Sequence, residues 1–271
     1  MKLQDFGIFD CFLSGGRDSA LTCYVAYKVA RALSKKFRLV HIDTGIALQE
    51  TRDYVERYAE WLGADLIVVR TPYDYFELVK KFGYPSVLNN RWCWRLLKQE
   101  PLYQFRISEL REREDNALWV LGIRSNESLF RLETYGKLRN TLTRAKIKGL
   151  PVVEWLPILH LTSNQVDFLL RKFAIPENPV WRKIGISGEC LCLAGTSKKV
   201  LEALFMNYPD VAEKFYKFDK SLVPRHTNSL IPLGLWGEKK RLYEFIEEVR
   251  NKKRQSTLLE YMSCQGACFV F

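Results

Sequence analysis

Six consecutive residues near the start of the chain have types and an order that can do chemistry: Ser14, Gly15, Gly16, Arg17, Asp18 and Ser19. They follow a short apolar run, Ile8 to Leu13, and precede apolar positions at helical spacing, Ala20, Leu21, Tyr24, Val25, Val29 and Leu33. A strand that feeds a glycine turn and then a helix leaves backbone N–H groups unpaired and aims the positive end of the helix dipole at the same point. Such a corner suits the oxygens of a di- or triphosphate. Neither GxxxxGK[ST] nor GxGxxG is present, which argues against the usual phosphoryl-transfer and dinucleotide loops. The plainer reading is a glycine turn capped by Ser14 or Asp18.

Other polar residues fall where the same ligand would need them. Asp43 and Thr44 lie just beyond a second strand, Arg38 to Ile42, at the end where an open parallel sheet places its ligand. Asp43 reads either as a holder of a hydroxyl or Mg²⁺ or as a turn cap. Arg95 and Lys98, three apart on a helix, share a face suited to phosphate or sulfate. Gly122 and Arg124 end a fourth strand, with Arg131 one helical stretch further on. For each cation the alternative is a surface ion pair. Trp92, Trp94 and Trp119 read as core or as platforms for a base. His41, His160 and His226 show no metal-ligand spacing.

Seven cysteines are an odd number and read as thiols, metal ligands or a catalytic sulfur rather than a disulfide framework. Cys11 and Cys23 fall in the first strand and first helix and read as small buried hydrophobes. Cys190 and Cys192 (CxC) and Cys264 and Cys268 (CxxxC) are two close pairs, a set that can hold zinc or an iron–sulfur cluster. The competing reading is unpaired buried or redox-disulfide cysteines.

The elements that must position these groups alternate strand and helix. Strands Ile8–Leu13, Arg38–Ile42, Leu66–Val69 and Ala117–Gly122 are separated by helical stripes through Tyr54–Leu62 and Trp94–Arg113, with Pro151–Leu156 a fifth strand. Thr162 and Gln165 form a capping-box signature for a helix through Phe173. Helices near Lys198–Asn207, Pro209–Phe218 and Glu238–Arg254 follow a Pro- and Gly-bearing break. The predicted fold is α/β, a doubly wound, mainly parallel five-stranded sheet over residues 1–180, with a smaller cysteine-containing basic helical lobe over 181–271.

At 271 residues with 47% hydrophobic and 27% charged side chains, the chain can bury a substantial core, which excludes a disordered tail or a disulfide-stapled mini-protein. No apolar stretch approaches the roughly 20 residues of a membrane span, and no signal-peptide pattern opens the chain, so a cytoplasmic location is expected. Of the net charge of +11, residues up to Phe130 carry +2 and the rest +9. That asymmetry fits either a polyanionic partner or a solvated basic surface.

SGGRDS after a first strand resembles the pyrophosphate loop, SGGxDS, of the adenine nucleotide alpha-hydrolase superfamily. HIDTG (41–45), RWCWRLLKQEPL (91–102), LGIRSNES (121–128) with Arg131, WLPILHLTSNQV and NPVWRKIG are similar, in order, to its PAPS reductase branch, from about Phe9 to Cys192. That branch includes PAPS and APS reductases, the small subunit of ATP sulfurylase and the sulfurtransferase of DNA phosphorothioation. The resemblance implies that Ser14, Gly15, Gly16, Asp18 and Ser19 hold phosphates, that Arg17 stands where ATP-using members carry Lys, and that Arg124, Glu127 and Arg131 match GxRxxESxxR. Departures are equally plain: Cys93 is flanked by Trp92 and Trp94 where APS reductases carry a Cys-Cys pair, and the terminus reads SCQGACFVF without ECGxH.

Three functions follow from the resemblance. One is an enzyme that binds ATP and Mg²⁺, adenylylates an acceptor such as tRNA or DNA with loss of pyrophosphate, and supports sulfur transfer through cysteine or an iron–sulfur cluster or zinc site. In that reading Arg17, Asp18 and Arg124 serve the reaction. The second is a PAPS or APS reductase whose thiolate releases sulfite, with Cys268 or Cys264 the candidate nucleophile. The third is a non-catalytic adenine-nucleotide-binding subunit of a complex. A homodimer is compatible with all three.

Overall fold

In a computed structural model, residues 1–86, 91–112, 116–138, 141–222 and 241–267 are described, with the backbone alone for 130, 254 and 256–267. The order is β1 (Ile8–Phe12), α1 (Arg17–Ala32), β2 (Lys36–Asp43), α2 (Gln49–Leu62), β3 (Asp65–Arg70), α3 (Tyr75–Phe82) and α4 (Trp92–Trp94). A π-helical stretch, Arg95–Gln99, joins α4 to α5 (Glu100–Arg111), followed by β4 (Ala117–Val120), α6 (Leu129–Tyr135), β5 (Leu142–Ile147) and β6 (Leu150–Trp155). Then come α7 (Ser163–Lys172), α8 (Pro179–Ile184), α9 (Lys198–Asn207), α10 (Pro209–Ser221) and α11 (Leu242–Ala267).

The strands form one sheet in the order β3-β2-β1-β4-β6-β5. β1 pairs in parallel with β2 and β4, β2 with β3, and β4 with β6. The expected doubly wound sheet is therefore present, with one strand more than the sequence reading counts. The extra strand, β5, runs antiparallel to β6 across a two-residue turn, Lys148–Gly149, in which both residues have positive φ. The order reverses direction on either side of β1, so β1 and β4 border the switch point where open α/β sheets bind ligands.

Each face of the sheet carries its own core. One contains Phe9, Cys11, Leu39, Leu118 and Val120, packed on Leu21 and Ala26 of α1 and Tyr54, Val55 and Tyr58 of α2. The other contains Val40, Trp119 and Val152, packed on Phe105 of α5. Fully buried side chains such as Phe9 and Leu21 contribute roughly 1.5–3 kcal/mol each. α2 stops at Gly63, whose φ of 64° makes a left-handed cap, and α7 starts in the expected Thr162/Gln165 capping box.

A buried polar cluster lies within these cores. Asp10, 0% exposed on β1, accepts from Arg38 Nε at 2.6 Å and Nη2 at 2.8 Å, directly across the parallel register. Glu109 of α5 accepts from Arg106 Nη1 at 3.0 Å and from the Trp119 indole at 3.1 and 3.2 Å. Burial first, and Asp10 second, push the Glu109 carboxyl up to about 8.

The chain divides into two compact units, residues 1–75 with 92–191 and residues 76–91 with 192–271. The second is built on α9, α10 and α11, with Phe76 of α3 against Phe215 and Phe218 at 5.5 and 4.6 Å. Its buried Asp219 accepts from the Tyr84 hydroxyl at 3.1 Å and the Tyr243 N–H at 3.0 Å. Among the described residues no helix is long and apolar enough to cross a membrane.

Candidate functional site

The loop between β1 and α1 takes its shape from its own serines. The Ser19 hydroxyl donates to the Gly16 carbonyl at 2.9 Å and accepts the Ser14 N–H at 3.2 Å, and the two serine hydroxyls meet at 3.1 Å. Gly15 adopts a φ of +77°, and a Cβ there would meet Thr51 Cγ2 at 2.8 Å and Asn178 Nδ2 at 3.3 Å. Gly16 is the N-cap of the 16-residue α1, and no side chain caps that helix. The first-turn amides of α1 therefore face outward with no intrahelical acceptor, at the positive end of the dipole. The Ser14 hydroxyl accepts the Gly16 N–H at 3.4 Å and so caps the glycine turn, but it does not cap α1, and Asp18 turns to Arg124.

A second layer holds this loop from beneath. Asn178 Nδ2 donates to the carbonyls of Gly15 and Ser187, both at 3.0 Å, while its Oδ1 accepts the Val180 N–H and so starts α8. The Thr51 hydroxyl donates to the same Ser187 carbonyl at 2.6 Å, and buried His41 Nδ1 lies 2.8 Å from the Leu13 carbonyl. Sequence reasoning missed Asn178, Thr51 and His41 as loop supports. Only Asn178 carried a local signal, an Asn before Pro179 at a helix start.

Arg124 is 7% exposed, with Nε 3.0 Å from Asp18 Oδ1 and Nη1 bonded to Asn126 Oδ1 (3.1 Å) and Ser163 Oγ (3.2 Å). Arg131 pairs with Glu127, which also lies 4.0 Å from Arg124. Gly122 has a packing reason: a Cβ there would sit 2.9 Å from the Ser19 nitrogen and 3.0 Å from the Asp18 carbonyl carbon. Only glycine lets the end of β4 approach the first turn of α1 this closely. The Arg17 side chain, expected on the phosphates, instead pairs with Asp167 of α7 and lies 4.3 Å over the Trp181 ring.

Asp43 caps the turn that follows β2, accepting the Gly45 N–H. Burial acts to raise its carboxyl, but the Gly45 N–H at 3.0 Å and Arg52 at 3.2 Å outweigh it and hold it below the usual carboxylate range. The Thr44 hydroxyl donates to the Glu189 carbonyl at 2.9 Å. Lys98 reaches the Glu189 carboxylate at 2.8 Å, whereas Arg95 is exposed with no side-chain partner among the described residues. Both lie in a π-helical stretch, whose residues-per-turn differ from the α-helix on which their expected shared face was reckoned.

Two cavities with no lining residue in common adjoin the loop. The smaller, about 150 Å³, opens where β1, β2 and β4 end and is lined by Leu13, Ser14, Ile42, Trp94, Lys98 and Leu121 among others. Its walls are mainly apolar and its size suits a planar ring rather than a whole nucleotide. Of the three candidate tryptophans, Trp94 lines it, whereas Trp92 and Trp119 are core. The larger, about 490 Å³, is lined by Arg17, Tyr54, Asp167, Arg171, Asn178 and Arg182 among others.

A scan of family profiles matches residues 11–191 to the phosphoadenosine phosphosulfate reductase domain. The chain belongs to this family. The matched span contains the loop, Lys98, Arg124, Arg131 and Cys190, and ends before Cys192, Cys264 and Cys268. An uncharacterized protein of Methanocaldococcus jannaschii is 32% identical over 225 residues, 82% of this chain and 44% of its own length. A second from the same organism is 28% identical over 154 residues, 57% of this chain and 34% of its own length. The chain thus spans less than half of the curated relatives it matches.

Among solved structures, PAPS reductase of Candida auris in a phosphate complex has a TM-score of 0.45 at 18% identity, covering 65% of this chain and 77% of that one. The U34-tRNA thiolase NcsA of Methanococcus maripaludis, with its [4Fe-4S] cluster, gives 0.45 at 14% identity, covering 82% and 74%.

For this member of the PAPS reductase domain family the four cysteines expected to hold a metal divide. Cys190 belongs to the first unit and Cys192 to the second, both half-buried; Cys264 is described by backbone alone and Cys268 lies outside the described residues, as does His226. Among the described residues no group of three or more side chains is placed to hold a metal ion. Asp18 and Asp167 are paired with Arg124 and Arg17, Asp43 with Arg52, and Glu189 with Lys98.

Proposed function

We propose that the chain binds ATP at the β1–α1 loop and transfers the adenylyl group to an acceptor with release of pyrophosphate, preparing that acceptor for sulfur insertion. The observation that carries this reading is the uncapped N-terminus of α1 behind Gly15 and Gly16, with Arg124 held 3.0 Å from Asp18 beside it. Unspent amide donors and a nearby guanidinium are the groups that neutralise charge on a departing pyrophosphate. The apolar cavity with Trp94 takes the adenine, and the exposed Ser14 leads out to the phosphates. The acceptor attacks the α-phosphorus, the bond to the β-phosphate oxygen breaks, and the chain supplies positioned donors rather than an acid–base pair. Mg²⁺ would be held by Asp18, whose Oδ2 is not in its ion pair with Arg124, and would neutralise phosphate charge there. A cysteine set of Cys190, Cys192, Cys264 and Cys268, as an iron–sulfur or zinc site, would serve the later sulfur step.

The family match favours a second reading, in which a thiolate such as that of Cys264 or Cys268 takes the sulfo group of PAPS or APS. One experiment separates the two: ATP and PAPS are offered in parallel, and pyrophosphate and sulfite are measured. ATP binding that Asp18→Ala abolishes, with acceptor-dependent pyrophosphate release, supports the first reading. Sulfite from PAPS overturns it, and ATP binding without turnover on any acceptor supports a non-catalytic subunit. Elemental analysis with an absorption spectrum of anaerobically purified protein tests the cysteine set, and metal retained in full by Cys190→Ser would count against it.

A further inference from the structure

Along the surface of the first unit, α1, α2 and α7 bring four aromatic side chains into one row. Tyr24 stacks on Trp61 at 5.9 Å with planes 29° apart and meets Phe173 at 5.1 Å and 32°. Lys172 lies 5.9 Å from both the Phe173 and Phe168 rings and so links the fourth member. Trp61 is 43% exposed, Phe168 56% and Phe173 37%. Trp61 and Phe173 each meet Tyr24, and Phe168 joins them through Lys172; a gathering of exposed rings of this size marks an interaction surface.

The charges around the row show what. Lys28 stands one helical turn beyond Tyr24, Arg57 one turn before Trp61, and Arg171 and Lys172 end α7 beside Phe173. None of these four cations is in an ion pair among the described residues, while Asp167 and Glu177 nearby are already paired with Arg17 and Arg182. Arg171 also lines the 490 Å³ cavity that reaches Arg17 of the loop. Flat rings interleaved with unpaired cations match a chain of bases strung on phosphates, because every base has a stacking face and every linkage a negative charge. A duplex hides its bases and cannot use the rings.

We infer that this row is a docking platform for single-stranded nucleic acid, whose bases stack on Trp61, Phe168 and Phe173 and whose backbone runs along Lys28, Arg57, Arg171 and Lys172. One nucleotide enters the cavity beside Arg17. The inference rests on the adenylyl-transfer reading and gives its acceptor a chemical class.

The test uses the full chain and a fluorescein-labelled 12-nucleotide strand, as RNA and as DNA, with a duplex of equal length as control. Anisotropy is expected to show binding of the single strand, weaker at higher salt, and weaker still for the duplex. Phe168→Ala with Phe173→Ala, both at exposed positions, should weaken it by about tenfold or more, and Lys172→Glu should weaken it and flatten the salt dependence. ATP affinity should be the same in all of these, so loss of ATP binding reports on the loop reading alone. Two results would overturn the platform: unchanged affinity in the double alanine variant, or no binding of either single strand by the parent protein. Self-association of the parent that the double variant abolishes, without oligonucleotide binding, would assign the row to a second copy of the chain instead.

Discussion

Asp10 and Ser14 are four residues apart on the same strand and its exit, yet the polar groups around them are treated in opposite ways. Around Asp10, every strong donor found meets an acceptor: Arg38 is bidentate on Asp10, and Arg106 and Trp119 converge on Glu109. Around Ser14, the leading amides of α1 have no side-chain cap among the described residues, and Gly15 and Gly122 let neighbouring elements pack closely against the loop. The first arrangement spends its hydrogen-bonding capacity on the fold; the second reserves it. Charge content does not distinguish them, since both hold arginines and carboxylates. The difference teaches that a binding site is read from unspent donors rather than from charge.

Asp10→Ala should produce the largest effect. It removes the bidentate carboxylate from the buried Arg38 guanidinium and is expected to cost about 3–5 kcal/mol, seen as a fall in Tm by calorimetry, with ATP affinity unchanged in protein that remains folded. Loss of affinity at unchanged Tm would erase the contrast between the regions. Gly122→Val comes next. Its side chain would press on the backbone of Asp18 and Ser19, and ATP affinity should fall by about 100-fold, a loss near 2.7 kcal/mol by titration calorimetry.

Asn178→Ala removes the support beneath Gly15 and the cap of α8, for an expected stability loss of about 1–2 kcal/mol and a several-fold weaker ATP affinity. The smallest effect concerns pH. Glu109 binds a proton more tightly folded than unfolded, so its contribution is complete below its unfolded value and declines as pH rises through about 8. Chemical denaturation between pH 5 and pH 9 should show the parent losing stability relative to Glu109→Gln, which stays neutral throughout. Parallel pH profiles would show that Glu109 does not titrate in that window.

The β1–loop–α1 unit was legible because three local signals agree there: an apolar run, a glycine cluster and a 3.6-residue apolar repeat. The antiparallel β5 was not. Its Arg144 and Lys146 sit on an edge strand, where charge discourages further pairing and also disguises a strand as a polar loop. Site residues divide along the same line. Gly15, Gly16 and Ser19 act locally, and their geometry follows from their neighbours. Arg17 could not be placed from sequence because Asp167 and Trp181, which capture its side chain, are brought near only by the packing of α1 on α7. The π-helical turn that carries Arg95 and Lys98 likewise has no signature in a helical repeat.

The grip of one amide on two distant carbonyls limits how portable this receptacle is. Asn178 ties Gly15 to Ser187, and Thr51 ties itself to the same Ser187 oxygen. An engineer who transplants only the six-residue segment into a foreign scaffold leaves its underside unsupported. A working graft has to bring the stretch from Asn178 to Ser187 and the threonine of α2 with it.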